Sequence, residues 1–290
     1  MAAKPIRNKV IFADNLAVLT SLQSNSVDLI YIDPPFNTGK KQARTQISIK
    51  ADKKGDRNGF TGRRYSTKVL GTKSFSDQFS DYIAFLEPRL NEAYRVLKDT
   101  GSLYFHVNYR EVHYCKILLD RIFGRHNFLN EIIWAYDYGG RAKDRWPVKH
   151  DNILFYVKDN ARYTFNVDEI ERIPYMAPKL VGEEKAARGK LPTDTWWHTI
   201  VSPTGKEKTG YPTQKPLGIL RRIIMASSNP GDLVLDFFAG SGTAGAVALE
   251  LGRNFILVDN NKEAIEVMKK RFAGKKVLFS KFPLTKKRAK

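Results

Sequence analysis

The residues VLDFFAGSGTAG, at positions 234–245, constrain the fold more than any other stretch of the sequence. An apolar strand runs directly into a tight turn that contains glycines, and a helix follows at once. A second apolar segment, 255–258, comes after this helix and ends at Asp259. Two strands joined by a crossover helix lie parallel in one sheet. This stretch therefore predicts an α/β fold around a mainly parallel sheet.

The same alternation continues through most of the 290 residues. Apolar runs rich in β-branched and aromatic residues predict strands over 10–12, 26–32, 102–107, 132–134, 151–157 and 233–236. Apolar residues at a helical spacing predict helices over 16–22, 76–98, 111–123, 215–228, 243–251 and 263–272. A turn is expected at 99–101, and a basic tail after the last helix. Strands and helices that alternate in this way predict a doubly wound, mainly parallel sheet.

The sequence YIDPPFNTG, at 31–39, places a carboxylate and an aromatic ring on either side of two prolines. Consecutive prolines do not continue a strand or a helix, so the strand over 26–32 ends here. Asp33 and Phe36 therefore stand on a stiff turn at the carboxyl end of a strand, where open α/β sheets bind ligands. Taken alone, the same residues fit a proline-rich turn with a solvated Asp equally well.

The turn at 236–243 has the composition of a cofactor loop. Glycines let a ligand approach the backbone, and a carboxylate at Asp259 suits ribose hydroxyls. The spacing departs from G-x-G-x-x-G, and Asp236 adds a negative charge that suits an ammonium and a sulfonium better than a pyrophosphate. The chain has no Gly-Lys-Ser/Thr, which excludes a Walker loop. The structural alternative is an ordinary strand, turn and helix.

The chain carries 49 Lys and Arg against 30 Asp and Glu, a formal net charge of +19. Such an excess favours a polyanionic partner, most often nucleic acid. Residues 38–73 hold eleven Lys or Arg against two Asp, which predicts a long, mobile basic loop. A solvated insertion is the alternative. If the loop contacts phosphates, the candidates are Lys40, Lys41, Arg44, Arg57, Arg63, Arg64 and Lys68.

Over residues 137–210 the apolar residues no longer recur at a regular helical or strand spacing. The pairs at 139–140 (Gly-Gly), 146–147 (Trp-Pro) and 196–197 (Trp-Trp) indicate loops and small elements. We interpret this region as a substrate-reading insertion, with a plain surface excursion or an oligomer contact as the alternatives. The chain then has three parts, namely a catalytic part over 1–136 that includes the basic loop, the insertion over 137–210, and a cofactor-binding part over 211–290.

Taken together, these motifs resemble those of amino-group DNA methyltransferases that use S-adenosylmethionine. The catalytic motif of that family, (Asp/Asn/Ser)-Pro-Pro-(Tyr/Phe), is matched by residues 33–36. Its cofactor motif, Asp-x-Phe-x-Gly-x-Gly, is similar to residues 236–242, and Pro-Thr-Gln-Lys-Pro at 212–216 resembles the segment that precedes it. Residues 75–90 resemble the helix after the family's basic loop. The catalytic motif comes before the cofactor motif, as in the arrangement called the beta class.

The resemblance implies the Rossmann-like fold of S-adenosylmethionine-dependent methyltransferases with an inserted target-recognition region. It implies methyl transfer to the N6 amine of a flipped-out adenine in duplex DNA, with S-adenosylhomocysteine as product and no metal. Asp33 and the Pro34 carbonyl would accept hydrogen bonds from the amine, Pro35 would help to fix the turn, and Phe36 would stack on the base. The residues implied in cofactor binding are Asp14, Asn15, Asp33, Thr213, Gln214, Lys215, Pro216, Asp236, Phe238, Ala239, Gly240, Ser241, Gly242, Thr243, Asp259 and Asn260.

Several alternatives stay open at this point. Cytosine N4 is the other acceptor, for which Ser-Pro-Pro-Tyr is the commoner signature. RNA and protein-glutamine methyltransferases usually carry Asn-Pro-Pro-Tyr after the cofactor motif, which is the reverse of the order here. A non-catalytic nucleic-acid-binding module accounts for the charge but not for the paired motifs. The expected partners are double-stranded DNA, a second copy of the chain and a cognate restriction endonuclease.

The single cysteine, Cys115, rules out an intrachain disulfide and a Cys-rich zinc site. It has no neighbouring proline, so we interpret it as a packing residue and not as the thiolate nucleophile of cytosine C5 methylation. The five histidines are scattered, which argues against a metal site. The sequence has no secretory signal and no apolar run long enough for a membrane helix. We therefore expect a cytoplasmic protein, encoded by a bacterium, an archaeon or a phage.

Overall fold

The computed structural model describes residues 8–37, 40–58, 63–77, 79–140, 142–202 and 205–282. The chain divides into two compact units: the smaller is Pro35–Tyr82, and the larger comprises the residues up to Pro34 and from Ile83 onward. The strands are β1 (Lys9–Phe12), β2 (Val27–Ile32), β3 (Lys40–Ala51), β4 (Arg57–Asn58), β5 (Arg64–Asp77), β6 (Leu97–Val107), β7 (Phe128–Ala135), β8 (His150–Val157), β9 (Thr195–Trp197), β10 (Leu233–Asp236), β11 (Asn254–Asp259) and β12 (Leu278–Lys281). The α-helices are α1 (Asn15–Ser21), α2 (Tyr82–Val96), α3 (Val112–Phe123), α4 (Glu183–Arg188), α5 (Leu217–Ala226), α6 (Thr243–Glu250) and α7 (Lys262–Arg271).

Nine strands of the larger unit form one sheet within the described residues, in the order β12-β1-β11-β10-β2-β6-β8-β7-β9. Neighbouring strands are parallel except where β8 pairs with β6 and β7, so β8 alone runs against the others. The prediction of an α/β fold with a mainly parallel sheet is confirmed.

Helices cover both faces of this sheet. Phe155 of β8 belongs to an apolar cluster that includes residues of α5, α6 and α7. The next residue, Tyr156, donates a hydrogen bond to Asp120 of α3 at 2.6 Å. Successive strand residues point to opposite faces, so α3 lies across the sheet from α5. The middle strands are consequently buried on both sides, as the run from Leu29 to Ile32 in β2 illustrates.

Three boundaries of the larger unit differ from the predictions. β6 begins at Leu97 and runs through the turn expected at 99–101, because its first residue already pairs with Val27 of β2. α2 begins at Tyr82 and not at residue 76, since the backbone up to Asp77 is paired in β5. β12 forms where a basic tail was expected, because the outer edge of β1 offers unpaired backbone groups. Residues 283–290 of that tail lie outside the described residues.

The smaller unit corrects the prediction of a long loop over 38–73. β3 pairs with β5 in an antiparallel hairpin, from Lys40↔Asp77 to Ala51↔Tyr65, and β4 pairs with β5 in turn. The sequences TQISI at 45–49 and YSTKV at 65–69 are rich in β-branched residues, which favour a pleated strand. The loop prediction rested on charge and overlooked this alternation.

No helix in the described part of the chain is both long and apolar enough to cross a membrane.

Candidate active site

Acidic residues follow four neighbouring parallel strands of the larger unit. β1, β11, β10 and β2 are adjacent, and they lead into Asp14, Asp259, Asp236 and Asp33 respectively. The carboxyl ends of parallel strands share one edge of the sheet, which is where such sheets bind ligands. Burial raises the pKa of Asp236 well above its ordinary value, and the charges of Asp33 and Asp259 raise it further. Negative charges on these neighbouring carboxylates therefore disfavour one another, and a cationic ligand at this edge would offset that repulsion.

The loop between β10 and α6 is folded around two of these carboxylates. Asp236 is buried and accepts the N–H of Phe238 at 3.0 Å. Asp259 accepts the N–H of Gly240 at 2.7 Å and the N–H of Asn261 at 2.7 Å. Burial raises the pKa of Asp259, and these backbone donors oppose the rise. The loop backbone thus depends on the same carboxylates that a ligand would meet.

Glycine is required just before α6. Gly242 has a φ of 74°, in the left-handed region, and a Cβ added there would lie 2.8 Å from Met268 Cγ. Gly240 also has a positive φ, 48°. The hydroxyls of Ser241 and Thr243 lie 3.0 Å apart in a buried hydrogen bond. The two glycines therefore set the turn, and the two hydroxyl side chains bond to each other on either side of Gly242.

The other predicted residues of the loop are packed or backbone-bonded. The ring of Phe238 lies 6.1 Å from that of Phe85 on α2. Ala239 is buried, and its N–H donates to the Val258 carbonyl at 3.1 Å. Asn260 follows directly after β11 at the same edge of the sheet. These positions place the whole loop against the tip of β11.

Lys215 connects the cofactor loop with the catalytic motif. Its ammonium forms an ion pair with Asp33 Oδ2, and both side chains are largely buried. Its carbonyl accepts the Thr243 hydroxyl at 3.3 Å. The segment before α5 therefore joins β2 to the start of α6.

The neighbours of Lys215 have different surroundings. The Gln214 amide accepts the N–H of Thr209 at 2.7 Å and donates to the Glu207 carbonyl at 2.7 Å, so it holds the chain that precedes it. Thr213 is exposed. Pro216 caps α5, a position where its missing N–H leaves no donor unsatisfied.

Asp33 has one paired and one open oxygen. Oδ2 belongs to the Lys215 ion pair, whereas Oδ1 is buried without a hydrogen-bond partner among the described residues. A buried acceptor without a donor is costly and uncommon, so this atom marks a place where a bound ligand can donate. Pro34 beside it is buried, and the boundary between the two units falls between Pro34 and Pro35. Phe36 belongs to the smaller unit.

Asp14 and Asn15 have structural contacts of their own. Asp14 caps α1 by accepting the N–H of Leu16 at 3.0 Å. Asn15 is buried and donates to the Phe237 carbonyl at 2.8 Å. Arg89 of α2 donates to Asn15 Oδ1 at 2.6 Å and to Asp14 Oδ2 at 3.1 Å. Asn15 thus reaches the cofactor loop through Phe237, and a cofactor contact of either side chain stays a prediction.

The family model for N6 and N4 methyltransferases, described as DNA methylase, matches residues 27–270, which is most of the chain. The chain belongs to this DNA methylase family. The predictions of an amino-group DNA methyltransferase and of S-adenosylmethionine as its cofactor are thereby confirmed.

Curated relatives and solved structures agree with this membership. The type II methyltransferase M.HpaI of Haemophilus parainfluenzae is 34% identical over 91% of this chain and 73% of its own. The DNA adenine methyltransferase YhdJ of Escherichia coli (strain K12) is 34% identical over 89% of this chain and 80% of its own. In fold, the M1.HpyAVI–SAM complex has a TM-score of 0.58 at 23% identity, covering 91% of this chain and 98% of that one. The cytosine-N4-specific PvuII DNA methyltransferase has a TM-score of 0.62 at 16% identity, covering 91% and 86%.

Two residues of this methylase site escaped the sequence analysis, which treated His106 as one of several scattered histidines and passed over Asp151. The sheet brings them together, because β6 lies between β2 and β8. His106 Nδ1 lies 3.8 Å from Asp33 Oδ1, and Nε2 lies 3.4 Å from Asp151 Oδ2. The signal in the sequence was a polar residue near one end of each of two apolar strands. Only the strand order shows that those ends meet.

The candidate DNA-binding residues of the methylase lie in the smaller unit. Arg63, Arg64 and Lys68 are exposed there. The backbones of Lys40, Lys41, Arg44 and Arg57 lie in β3 and β4, and their side chains fall outside the described part. Their contact with DNA stays a prediction.

Cys115 of the methylase lies in the core. It is completely buried on α3, and burial raises the pKa of its thiol to about 12. A thiol in this setting remains protonated and packs as a small apolar group. Within the described residues, no group of three or more His, Cys, Asp or Glu has the arrangement of a metal site.

Proposed function

We propose that this methylase transfers a methyl group from S-adenosylmethionine to the N6 amine of adenine in double-stranded DNA. The observation that carries the proposal is the open, buried Oδ1 of Asp33 at the tip of β2, beside the acidic ends of β10 and β11. A printed name among the relatives, DNA adenine methyltransferase YhdJ, supports adenine over cytosine.

The residues of the motif would make a weak nucleophile reactive. The lone pair of an exocyclic amine is delocalised into its ring, so the nitrogen attacks poorly. Asp33 Oδ1 and the Pro34 carbonyl accept hydrogen bonds from the NH₂ group and draw the nitrogen toward a tetrahedral geometry. Lys215 holds the other Asp33 oxygen, and the prolines fix the backbone, so the acceptors are oriented in advance. Phe36 is the proposed stacking partner of the base.

S-adenosylmethionine supplies an electrophilic methyl group on a sulfonium. The amine nitrogen would form a bond to this carbon as the carbon–sulfur bond breaks, and the electron pair of that bond would stay on the sulfur of S-adenosylhomocysteine. The nitrogen would then release its extra proton to water. Asp33 holds the amine during the transfer, and positioning both substrates supplies much of the rate. A base inside a duplex must first be flipped out, at a cost of a few kcal/mol.

The chain's own residues fit the cofactor. Asp33, Asp236 and Asp259 repel one another at the sheet edge, and a ligand with an ammonium and a sulfonium relieves this repulsion. Asp259 keeps lone pairs for ribose hydroxyls after accepting its backbone donors. We assign the remaining cofactor contacts to the backbone of the glycine loop and to the segment around Lys215.

DNA reading is assigned to two regions. The smaller unit contributes exposed cations. Residues 137–210 remain the proposed recognition part, although β8 and β9 within this range belong to the central sheet. Eight of the eleven exposed large hydrophobic side chains of the described chain fall in this range, namely Tyr138, Trp146, Val148, Phe165, Val167, Met176, Leu180 and Trp197. Apolar and aromatic exposure of this kind favours an interaction surface.

Product analysis tests the proposal directly. Plasmid DNA methylated with a labelled methyl donor is digested to nucleosides, which are separated by chromatography. N6-methyldeoxyadenosine is expected, and label found only in N4-methyldeoxycytidine would replace adenine by the alternative acceptor. A failure to bind S-adenosylmethionine in a calorimetric titration would favour the non-catalytic module.

We infer further partners from the same relatives. The type II names of several relatives support a cognate restriction endonuclease encoded beside this chain. A homodimer and a cytoplasmic location at the host DNA are part of the proposal, and light scattering with and without DNA measures the oligomeric state.

A further inference from the structure

A buried imidazole stands behind the carboxylate of the catalytic motif. His106 lies near the end of β6, and its side chain has no exposure to solvent. β6 is the neighbour of β2, which leads into Asp33. On its other side β6 pairs with β8, which runs in the opposite direction and therefore brings Asp151, near its start, to the same edge. The fold thus places the His106 ring between two carboxylates.

Both ring nitrogens face hydrogen-bonding groups. Nδ1 lies 2.9 Å from the Tyr31 hydroxyl and 3.8 Å from Asp33 Oδ1. Nε2 lies 3.4 Å from Asp151 Oδ2. The Tyr136 hydroxyl donates to the other oxygen of Asp151 at 3.4 Å. The groups around the ring come from β2, β8 and the chain after β7, so its orientation is fixed from several sides.

The groups around His106 determine which of its ring nitrogens carries a proton. Burial, together with the charges of Asp33, Asp236 and Asp151, raises the pKa of Tyr31 well above its ordinary value, so the phenol stays protonated. Burial also raises the pKa of Asp151, but the hydrogen bond and charge of His106 and the charge of Lys215 outweigh it and lower the pKa overall. Asp151 is therefore a carboxylate that can accept a hydrogen bond from the Nε2–H group, and Tyr31 can donate one to Nδ1.

The two charge states of the imidazole have opposite effects on Asp33. In the neutral ring with its proton on Nε2, Nδ1 is an acceptor and cannot donate to Asp33 Oδ1. The protonated ring carries a second proton on Nδ1, which faces Asp33 Oδ1 as well as Tyr31. A donor there would occupy the lone pair that the target amine needs. It would also withdraw negative charge from the carboxylate.

We propose that His106 is a positioning residue for Asp33, and that methyl transfer requires its neutral form, held with the proton on Nε2 by Asp151. The inference rests on the proposed function of Asp33 as the acceptor for the amine. Tyr31 occupies Nδ1 in this form, and Asp33 Oδ1 is left open toward the substrate.

The test is a pH–rate profile of the full-length enzyme under single-turnover conditions with saturating DNA and cofactor. We expect the wild-type rate to fall by about tenfold or more between about pH 8 and about pH 5.5, because acidification favours the imidazolium form. His106→Asn keeps a short polar side chain that does not titrate. Its rate at pH 8 should be about 10- to 100-fold lower, yet nearly independent of pH over the same interval. Its cofactor affinity should match the wild type, because His106 positions the acceptor and not the donor.

A second variant keeps the inference testable if His106→Asn does not fold. Asp151→Asn removes the charge that stabilises an imidazolium, so the loss of rate on acidification should move to lower pH. The control is His113→Asn, an exposed histidine of α3, whose profile should equal that of the wild type. An unchanged acid limb in His106→Asn, or a shift to higher pH in Asp151→Asn, would overturn the inference alone. A wild type that methylates no DNA would overturn the proposed function as well.

Discussion

The two units of this methylase handle charge in opposite ways. The larger unit gathers carboxylates at one sheet edge, where Asp236 is 3% exposed and its pKa is raised by burial. The smaller unit, residues 35–82, holds eleven Lys or Arg against four Asp. Six of these cations are described and exposed, namely Lys50, Lys53, Lys54, Arg63, Arg64 and Lys68. Buried charges act strongly and depend on geometry, whereas exposed charges are screened and act roughly additively.

This difference assigns different kinds of function to the two units. A group that orients a substrate must be held within a fraction of an ångström, which needs packing such as that around Asp33 and Lys215. A group that neutralises phosphates needs reach and accessibility more than a fixed position. Single substitutions at the acidic edge should therefore change chemistry or cofactor binding. Substitutions on the hairpin should change affinity and its salt dependence.

The largest effect is expected from Asp33→Ala, which tests whether the acidic edge carries the chemistry. Single-turnover methyl transfer should fall by about 10³-fold or more, because the amine loses its oriented acceptor. Cofactor and DNA affinity should change far less. The matched control is Asp99→Ala on β6, a carboxylate that forms an ion pair with Arg162. Wild-type turnover by Asp33→Ala would remove the catalytic role from the larger unit's edge.

The next effect concerns the cost of the buried charge. Asp236→Asn keeps an oxygen for the Phe238 N–H and removes a carboxylate whose pKa is raised by burial. A raised carboxyl pKa means that the folded state is more stable when the group is protonated, and that stability is lost as the pH rises through the folded pKa. At pH 8 without cofactor, the variant should therefore melt about 2–4 °C above the wild type. The gain should shrink as the pH is lowered.

The same variant should bind S-adenosylmethionine about tenfold or more weakly, because the cofactor loses a carboxylate that complements its positive charge. Calorimetry at pH 8 and thermal melts from pH 8 downward measure both effects. A variant that is less stable than the wild type without cofactor, or that binds the cofactor equally well, would contradict the prediction. The prediction is that the Asp236 carboxylate lowers the stability of the cofactor-free protein and strengthens cofactor binding.

The contrast also explains what the sequence could predict. The strand, glycine turn and helix around residues 234–245 form a local pattern, so both the parallel sheet and the cofactor loop follow from it. The residues 33–36 are likewise recognisable because prolines restrict the chain wherever they occur. Asp33 and Lys215 are 182 positions apart, and their ion pair arises from the strand order, which no local pattern specifies.

The hairpin was missed for a related reason. Its eleven basic residues led the composition to predict a loop. The β-branched residues at every second position of 45–49, which are typical of a strand, are nevertheless present in the sequence. His106 and Asp151 show the complementary failure. Each is an ordinary polar residue near the end of an apolar strand. They lie together only because β8 runs antiparallel to β6, which brings Asp151, near the start of β8, close to His106, near the end of β6.

A smaller effect is expected on the hairpin, where Arg63→Ala combined with Arg64→Ala tests the assignment of affinity to the smaller unit. If both side chains contact phosphates, the slope of log K against log salt should become shallower by about 2, since each contact contributes about 0.9. The single-turnover rate at saturating DNA should stay near the wild type. Lys262→Ala with Lys270→Ala, two exposed residues of α7, is the control with an equal loss of charge. An equal change in slope for both double variants would make the effect one of net charge and not of the hairpin.

The smallest effect is expected from Trp146→Ala, which sharpens the comparison by asking whether the larger unit also contributes to DNA affinity. Trp146 is 92% exposed and lies on the chain between β7 and β8. β7 ends and β8 begins at the sheet edge that carries Asp33. If it stacks on a base or fills a groove, binding should weaken by about tenfold, in line with about 1–3 kcal/mol for such a contact. Because the ring is exposed, the melting temperature should not change. The control is Ile117→Ala on α3, which is 70% exposed and lies outside residues 137–210. Equal DNA affinity of Trp146→Ala and the wild type would show that this side chain takes no part in target binding. A loss of affinity that does not depend on salt would show that Trp146 binds by a non-ionic contact, unlike the cations of the hairpin.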